Sequence, residues 1–190
     1  MEAAEYRRID PEAVLREFYR PGSRAYEIIL GHGEQVAVKA AAVAHRVSHL
    51  KPDLDFIREA ALLHDIGVFL TRMPELDCWG RYNYICHGYL GRELLEKQGL
   101  PKHALVCERH VGVGITREDI QRHHLPLPRR DMCPVSVEEQ IVCYADKFFS
   151  KGEKGPAGER TPAEAIRCIE KYGEEKVKRF RTLAAQFEGY

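Results

Sequence analysis

Apolar residues return every three to four positions along most of this 190-residue chain, and no stretch alternates long enough to build a sheet. That period confines the chain to helices packed on helices. We therefore expect an all-α, single-domain helical bundle over residues 1–190. A hydrophobic fraction of 44% is enough for a real core, so disorder is not expected.

Start and stop signals divide the pattern. Asp10-Pro11 opens a short helix that stops at Pro21-Gly22. A longer pattern runs from about 23 to 49, and Gly31-His32-Gly33 marks where it can break. Asp53 caps a helix through His64, and Gly67 is expected to let the chain turn sharply away. Further helices are expected from about 83 to 98 and 102 to 110, with Thr116 capping another turn or two. Ser136-Val-Glu-Glu139 and Thr161-Pro-Ala-Glu164 fit the capping box and open helices of about 137–151 and 162–187. The last is expected to pack on the bundle. The loop 152–158 reads as the most flexible connection.

Charge and cysteine content narrow the function classes. Lys+Arg and Asp+Glu are both 29, which argues against an extended nucleic acid or a membrane surface as partner. The Met1–Glu5 start is acidic and lacks signal-peptide character, and no run approaches the ~18 apolar residues of a membrane span. A cytoplasmic location is expected. Six cysteines without a C-x-x-C pair read as reduced, mostly core residues.

Titratable residues fall on the apolar faces. His64-Asp65 closes the helix that carries Ile57, Ala60 and Ala61. His32 shares a stripe with Val36 and Val43, His87 with Leu90 and Leu94, and His110 with Val106 and Cys107. Asp146 lies among Ile141, Val142, Ala145 and Phe149. Any one of these could be an ordinary buried side chain with a hydrogen bond. Six aimed at one core would each be costly unless paired, and a bound metal ion satisfies them together. A structural zinc site using Cys86, His87, Cys107 and His110 competes poorly, because helical neighbours such as Cys86 and His87 point about 100° apart. His45, His49, His103, His123 and His124 are expected at the surface.

In this order, His32, His64-Asp65 and Asp146 resemble the HD superfamily of metal-dependent phosphohydrolases. Ala60-Ala-Leu-Leu-His-Asp-Ile-Gly67 and Ile141-Val-Cys-Tyr-Ala-Asp-Lys147 look like its second and last motifs, and the likeness covers about 25–152. His87 and His110 sit where binuclear members carry extra histidines. The layout is most similar to small hydrolases that cleave diadenosine tetraphosphate symmetrically. The resemblance implies a first metal on His32, His64, Asp65 and Asp146, and a second on His87 and His110 with Asp65 bridging. It implies one or two divalent transition-metal ions, iron or manganese first, with cobalt, nickel or zinc as alternatives. The implied substrate is a small phosphorylated molecule, in the first place a nucleotide, and the implied catalytic residues are Asp65, His64 and Lys147.

Two departures bear on the substrate. Val68 stands where members often carry a phosphate-binding lysine, and Val111 where many carry a polar residue. Lys147, Arg109, Arg129 and Arg130 are the candidate replacements. Two other functions stay open on the same ligands, a mixed-valent di-iron oxygenase and a non-catalytic metal- and nucleotide-binding module. Both a monomer and a homodimer are compatible with the sequence.

Overall fold

The computed structural model describes residues 8–151 and 158–188. The expectations for Met1–Glu5 and for the loop from 152 fall outside the described residues, apart from Gly158. Nine α-helices follow one another among the described residues: α1 (Pro11–Arg16), α2 (Arg24–Arg46), α3 (Leu54–Leu63), α4 (His87–Lys97), α5 (Pro101–Arg109), α6 (Arg117–Arg122), α7 (Val137–Asp146), α8 (Pro162–Glu170) and α9 (Glu174–Glu188). A hairpin too short to show as sequence alternation, β1 (Arg72–Met73) with β2 (Cys78–Trp79), pairs antiparallel between α3 and α4. Among the described residues no helix is long and apolar enough to cross a membrane.

The predicted caps form at most starts. Asp10, Ser23, Asp53, Thr116 and Thr161 each accept a backbone N–H of the first turn. Thr116 and Thr161 complete reciprocal capping boxes. The box at Ser136 is only half made. Ser136 accepts from Glu139 N, but the Glu139 carboxylate turns to Val135 N and to Arg109.

Three boundaries differ from expectation. α2 runs unbroken through Gly31-His32-Gly33, because His32 is buried and Gly33 lies against the backbone of Leu62. α7 ends at Asp146, where bonding tightens to Phe148 N–Ala145 O and Phe149 N–Asp146 O and the chain leaves the helix. The expected final helix is two, α8 and α9, parted at Gly173, whose φ of 101° has no place in a right-handed helix.

The largest core cluster joins α2, α3, α7, α8 and α9. α9 packs on the bundle as expected, with Phe180 stacked on Tyr144 and Phe187 edge-on to it. Burial of each of these phenylalanines contributes roughly 2 kcal/mol. A second cluster joins α1, the start of α2, the turn after α3, α4 and α5. The functional residues lie where these layers meet.

Candidate metal centre

Four helix ends and one helix middle deliver the six predicted residues to one buried place. His32 comes from the middle of α2, His64 and Asp65 from the end of α3, His87 from the first position of α4, His110 from just past α5, and Asp146 from the last position of α7. All six are 6% exposed or less.

They form two sets that share Asp65. Potential ligand atoms of His32, His64, Asp65 and Asp146 all lie within 4.8 Å of one another, as do those of Asp65, His87 and His110. The two carboxylate oxygens divide between the sets. Oδ2 lies 3.4 Å from His32 Nε2 and 3.0 Å from His64 Nε2. Oδ1 lies 3.3 Å from His87 Nε2 and 3.5 Å from His110 Nε2. Asp146 Oδ1 closes the first set, 2.9 Å from His32 Nε2 and 3.5 Å from His64 Nε2.

Backbone carbonyls fix three of the four imidazoles. Nδ1–H of His64 donates to Ala61 O at 2.6 Å, that of His87 to Tyr84 O at 2.7 Å and that of His110 to Cys107 O at 2.8 Å. A carbonyl only accepts, so Nδ1 carries a proton and each Nε2 faces the cluster. This is the arrangement by which outer hydrogen bonds orient metal-ligating histidines. His64 Nε2 and both oxygens of Asp65 are buried without a hydrogen bond, despite short distances, because nothing is aligned to donate to them. Orphaned acceptors at such density are rare, and a cation satisfies all of them. The residues present therefore fit a divalent metal ion, and their nitrogen and oxygen donors suit a transition metal.

The electrostatics agree with an acceptor-rich site. Burial drives the proton from His32, whose pKa falls to about 4 with Lys151 facing the same space, and from His87, which falls to about 3. Burial likewise lowers His110. His64 goes the other way: burial opposes its charge, but the negative Asp65 and Asp146 beside it outweigh burial and raise it to about 9, a demand for positive charge at that position. Burial also works against the carboxylates. His64 and Lys151 nonetheless hold Asp65, and Lys147 and Lys151 hold Asp146, well below the usual range.

Backbone packing brings the second set close. Gly67 is not in the left-handed region, so the sharp-turn role expected for it does not hold. Its need is close approach: a Cβ there would stand 2.2 Å from His87 O and 2.5 Å from Gly91 N. Only a bare Cα lets α4 lie on the turn that carries Asp65. Val68 is fully buried in that turn, packed in the second core cluster.

Other predicted residues divide. Lys147 enters the site, its ammonium bonded to Asp146 Oδ2 at 2.5 Å. Arg109 is held by Glu139 and Arg130 by Glu108, while Arg129 is exposed. His45, His49, His123 and His124 are exposed as expected. His103 is not: it is buried, 3.2 Å from Glu59 Oε2 and edge-on to Phe56. Glu59 turns inward from α3, and His103 meets that buried carboxylate. Cys86 and Cys107 do not join a zinc site, their thiols donating to Pro126 O and His64 O.

Four contributing side chains were missed by sequence reasoning. Lys151 Nζ stands 2.8 Å from Asp65 Oδ2, and its only advance signal is the i, i+4 spacing from Lys147. Tyr19 of the segment after α1 donates to Ile66 O at 3.0 Å and accepts from Phe69 N at 3.1 Å, pinning the turn after Asp65. Cys107 and Cys143 donate to the carbonyls of His64 and His110. Nothing in the local sequence marks Tyr19.

Comparison with known proteins agrees with this geometry. The HD domain family matches residues 29–150. The chain is 38% identical over 109 residues to an uncharacterized protein of Methanocaldococcus jannaschii, covering 57% of each. It is 36% identical over 128 residues to a tRNA (cytidine(56)-2'-O)-methyltransferase of Picrophilus torridus, covering 66% of this chain and 33% of the relative. The enzyme of that name from Thermoplasma volcanium is 30% identical over 146 residues, covering 76% and 38%. The chain thus spans between a third and somewhat over half of the length of these relatives. In fold it resembles the HD domain of the Listeria monocytogenes phosphodiesterase PgpH, with a TM-score of 0.53 at 17% identity, over 93% of this chain and 97% of that one. The same domain in complex with cyclic-di-AMP gives 0.52 at 17% identity, over 93% and 96%. With its motif residues gathered in one buried cluster, this chain belongs to the HD domain family.

Proposed function

We propose that this protein is a metal-dependent phosphohydrolase acting on a nucleotide or another small phosphate ester. His32, His64, Asp65 and Asp146 hold one ion, and Asp65, His87 and His110 hold a second. The observation that carries this reading is the division of Asp65, one oxygen facing each set of imidazoles. Divalent ions bound there would supply Lewis acidity toward a phosphoryl oxygen and acidify a water molecule. The chain's own residues then have distinct tasks. The backbone-anchored imidazoles present lone pairs without reorganising. Lys147 holds the Asp146 carboxylate in place.

A nucleotide is favoured because the chain's charge balance suits a small substrate. The fold neighbour solved with cyclic-di-AMP adds a nucleotide phosphodiester to the candidates. The test is release of phosphate or nucleotide product by manganese- and iron-loaded protein. The panel should include nucleoside mono-, di- and triphosphates, diadenosine tetraphosphate and cyclic dinucleotides. Turnover abolished by chelation and restored by metal is the expected result. Oxygen uptake by the reduced iron form without any phosphate release would move the reading to the oxygenase chemistry.

A further inference from the structure

Two lysines four residues apart answer the two carboxylates of the site, and they do so differently. Lys147 Nζ makes a hydrogen bond of 2.5 Å to Asp146 Oδ2. Lys151 Nζ stands as an ion pair 2.8 Å from Asp65 Oδ2. The charge of Asp65 is the largest influence that favours the Lys151 ammonium there. Both lysine side chains are only 14% exposed, and Lys151 lies beyond the end of α7 on a long unbranched stem.

The oxygen that Lys151 faces is the one that faces His32 and His64. An ammonium and a divalent ion would compete for the same lone pairs and repel each other at that separation. Lys147 is directed at Asp146 Oδ2, whereas Oδ1 of that carboxylate faces the imidazoles, so Lys147 need not move. Once displaced, the Lys151 ammonium stays tethered beside Tyr84, with which it interacts, and needs a new anion. A phosphate oxygen is the matching acceptor for a compact, triply donating cation. Among the other basic side chains considered for that task, Arg109 is engaged with Glu139 and Arg130 with Glu108, and Arg129 is exposed.

We propose that Lys151 is the built-in counter-ion of Asp65, that a metal ion displaces it, and that the displaced ammonium then binds the substrate phosphate. This rests on the phosphohydrolase reading above. The sequence it implies is metal first and phosphate second.

Titration calorimetry of metal-stripped protein with Mn²⁺, followed by inorganic phosphate added to the Mn²⁺-loaded form, tests it without any turnover. Loss of one charge-assisted contact is worth about tenfold in affinity or more. Lys151→Met should therefore bind Mn²⁺ about tenfold more tightly than wild type, and its loaded form should bind phosphate about tenfold more weakly. Lys151→Arg keeps the charge and should retain wild-type competition. If the Met variant loses native helix content by circular dichroism, Lys151→Gln carries the same expectation. Wild type that binds Mn²⁺ while the neutral variant binds it no more tightly overturns the proposal and leaves the metal reading intact. Unchanged phosphate affinity overturns it as well. Wild type that binds no Mn²⁺ removes both.

Discussion

His87 Nε2 faces His110 Nε2 at 3.2 Å, although both rings have already given their Nδ1 proton to a backbone carbonyl. Two lone pairs are thus held toward each other in a dry interior. The Nδ1 protons of both rings point away from that contact, and a cation between or beside the rings relieves it. The double variant His87→Ala/His110→Ala should hold about one metal ion per chain where wild type holds about two, counted by elemental analysis. Hydrolysis should fall by orders of magnitude. An unchanged count would remove the second ion and leave the first set standing.

Asp65 serves both sets, so its loss should be the most damaging single change. Asp65→Ala should retain almost no metal after dialysis. Any rise in melting temperature that wild type shows on adding Mn²⁺ should vanish, since an ion that binds only the folded chain stabilises it by mass action. Full metal content in this variant would contradict the whole site.

Gly67→Ala tests the backbone contact between the turn after α3 and α4. The added Cβ meets two backbone atoms, His87 O and Gly91 N, neither of which can swing aside as a side chain would. Urea denaturation should show a loss of about 3 kcal/mol, at the upper end of overpacking costs. The surviving folded protein should bind less metal, because α4 carries His87 away from Asp65. A loss well under 1 kcal/mol would mean that α4 is not seated as described.

A pH-dependent contribution is expected where α9 meets α6. The Lys176 ammonium donates to Gly114 O at 2.6 Å and to Asp119 Oδ2 at 2.5 Å. Burial pushes Asp119 up, but Lys176 and the Thr116 cap outweigh it and bring its pKa from 3.8 down to about 2. A carboxylate depressed in the folded state stabilises fully above its unfolded value and loses that contribution as pH falls toward the folded one. Lys176→Met should cost about 1–2 kcal/mol at pH 7, allowing for the solvent that reaches Asp119. The gap to wild type should narrow as pH drops through 4. A gap constant from pH 7 to 3 would show that the ion pair contributes nothing.

Much of this was legible because helix chemistry is local. Thr116 and Thr161 are followed three residues later by an acid, and both capping boxes form. The six cluster residues could be found because each breaks an apolar face. What stayed hidden depends on contacts distant in sequence. His103 follows the helical period of a surface residue, and only the inward turn of Glu59, 44 positions earlier, makes it a core residue. Gly67 announces a turn, whereas its actual constraint is α4 lying on it, 20 residues later. Lys151 lies past a helix end, where periodicity no longer says which way a side chain points. Glu139 shows the converse: its spacing from Ser136 is right for a box, but Arg109 and Val135 offer it better partners.

The helix directions at the cluster have a consequence of their own. α3, α5 and α7 all end there, at His64, His110 and Asp146, while α4 alone begins there, at His87. Each helix end adds roughly half a unit charge, negative at a C-terminus and positive at an N-terminus. Three negative poles against one positive add an electronegative contribution from the backbone to the cluster, independent of any single side chain. That backbone contribution favours a cation over an anion at the cluster. The fold thus biases the place where the six residues meet toward positive charge before any side chain is counted.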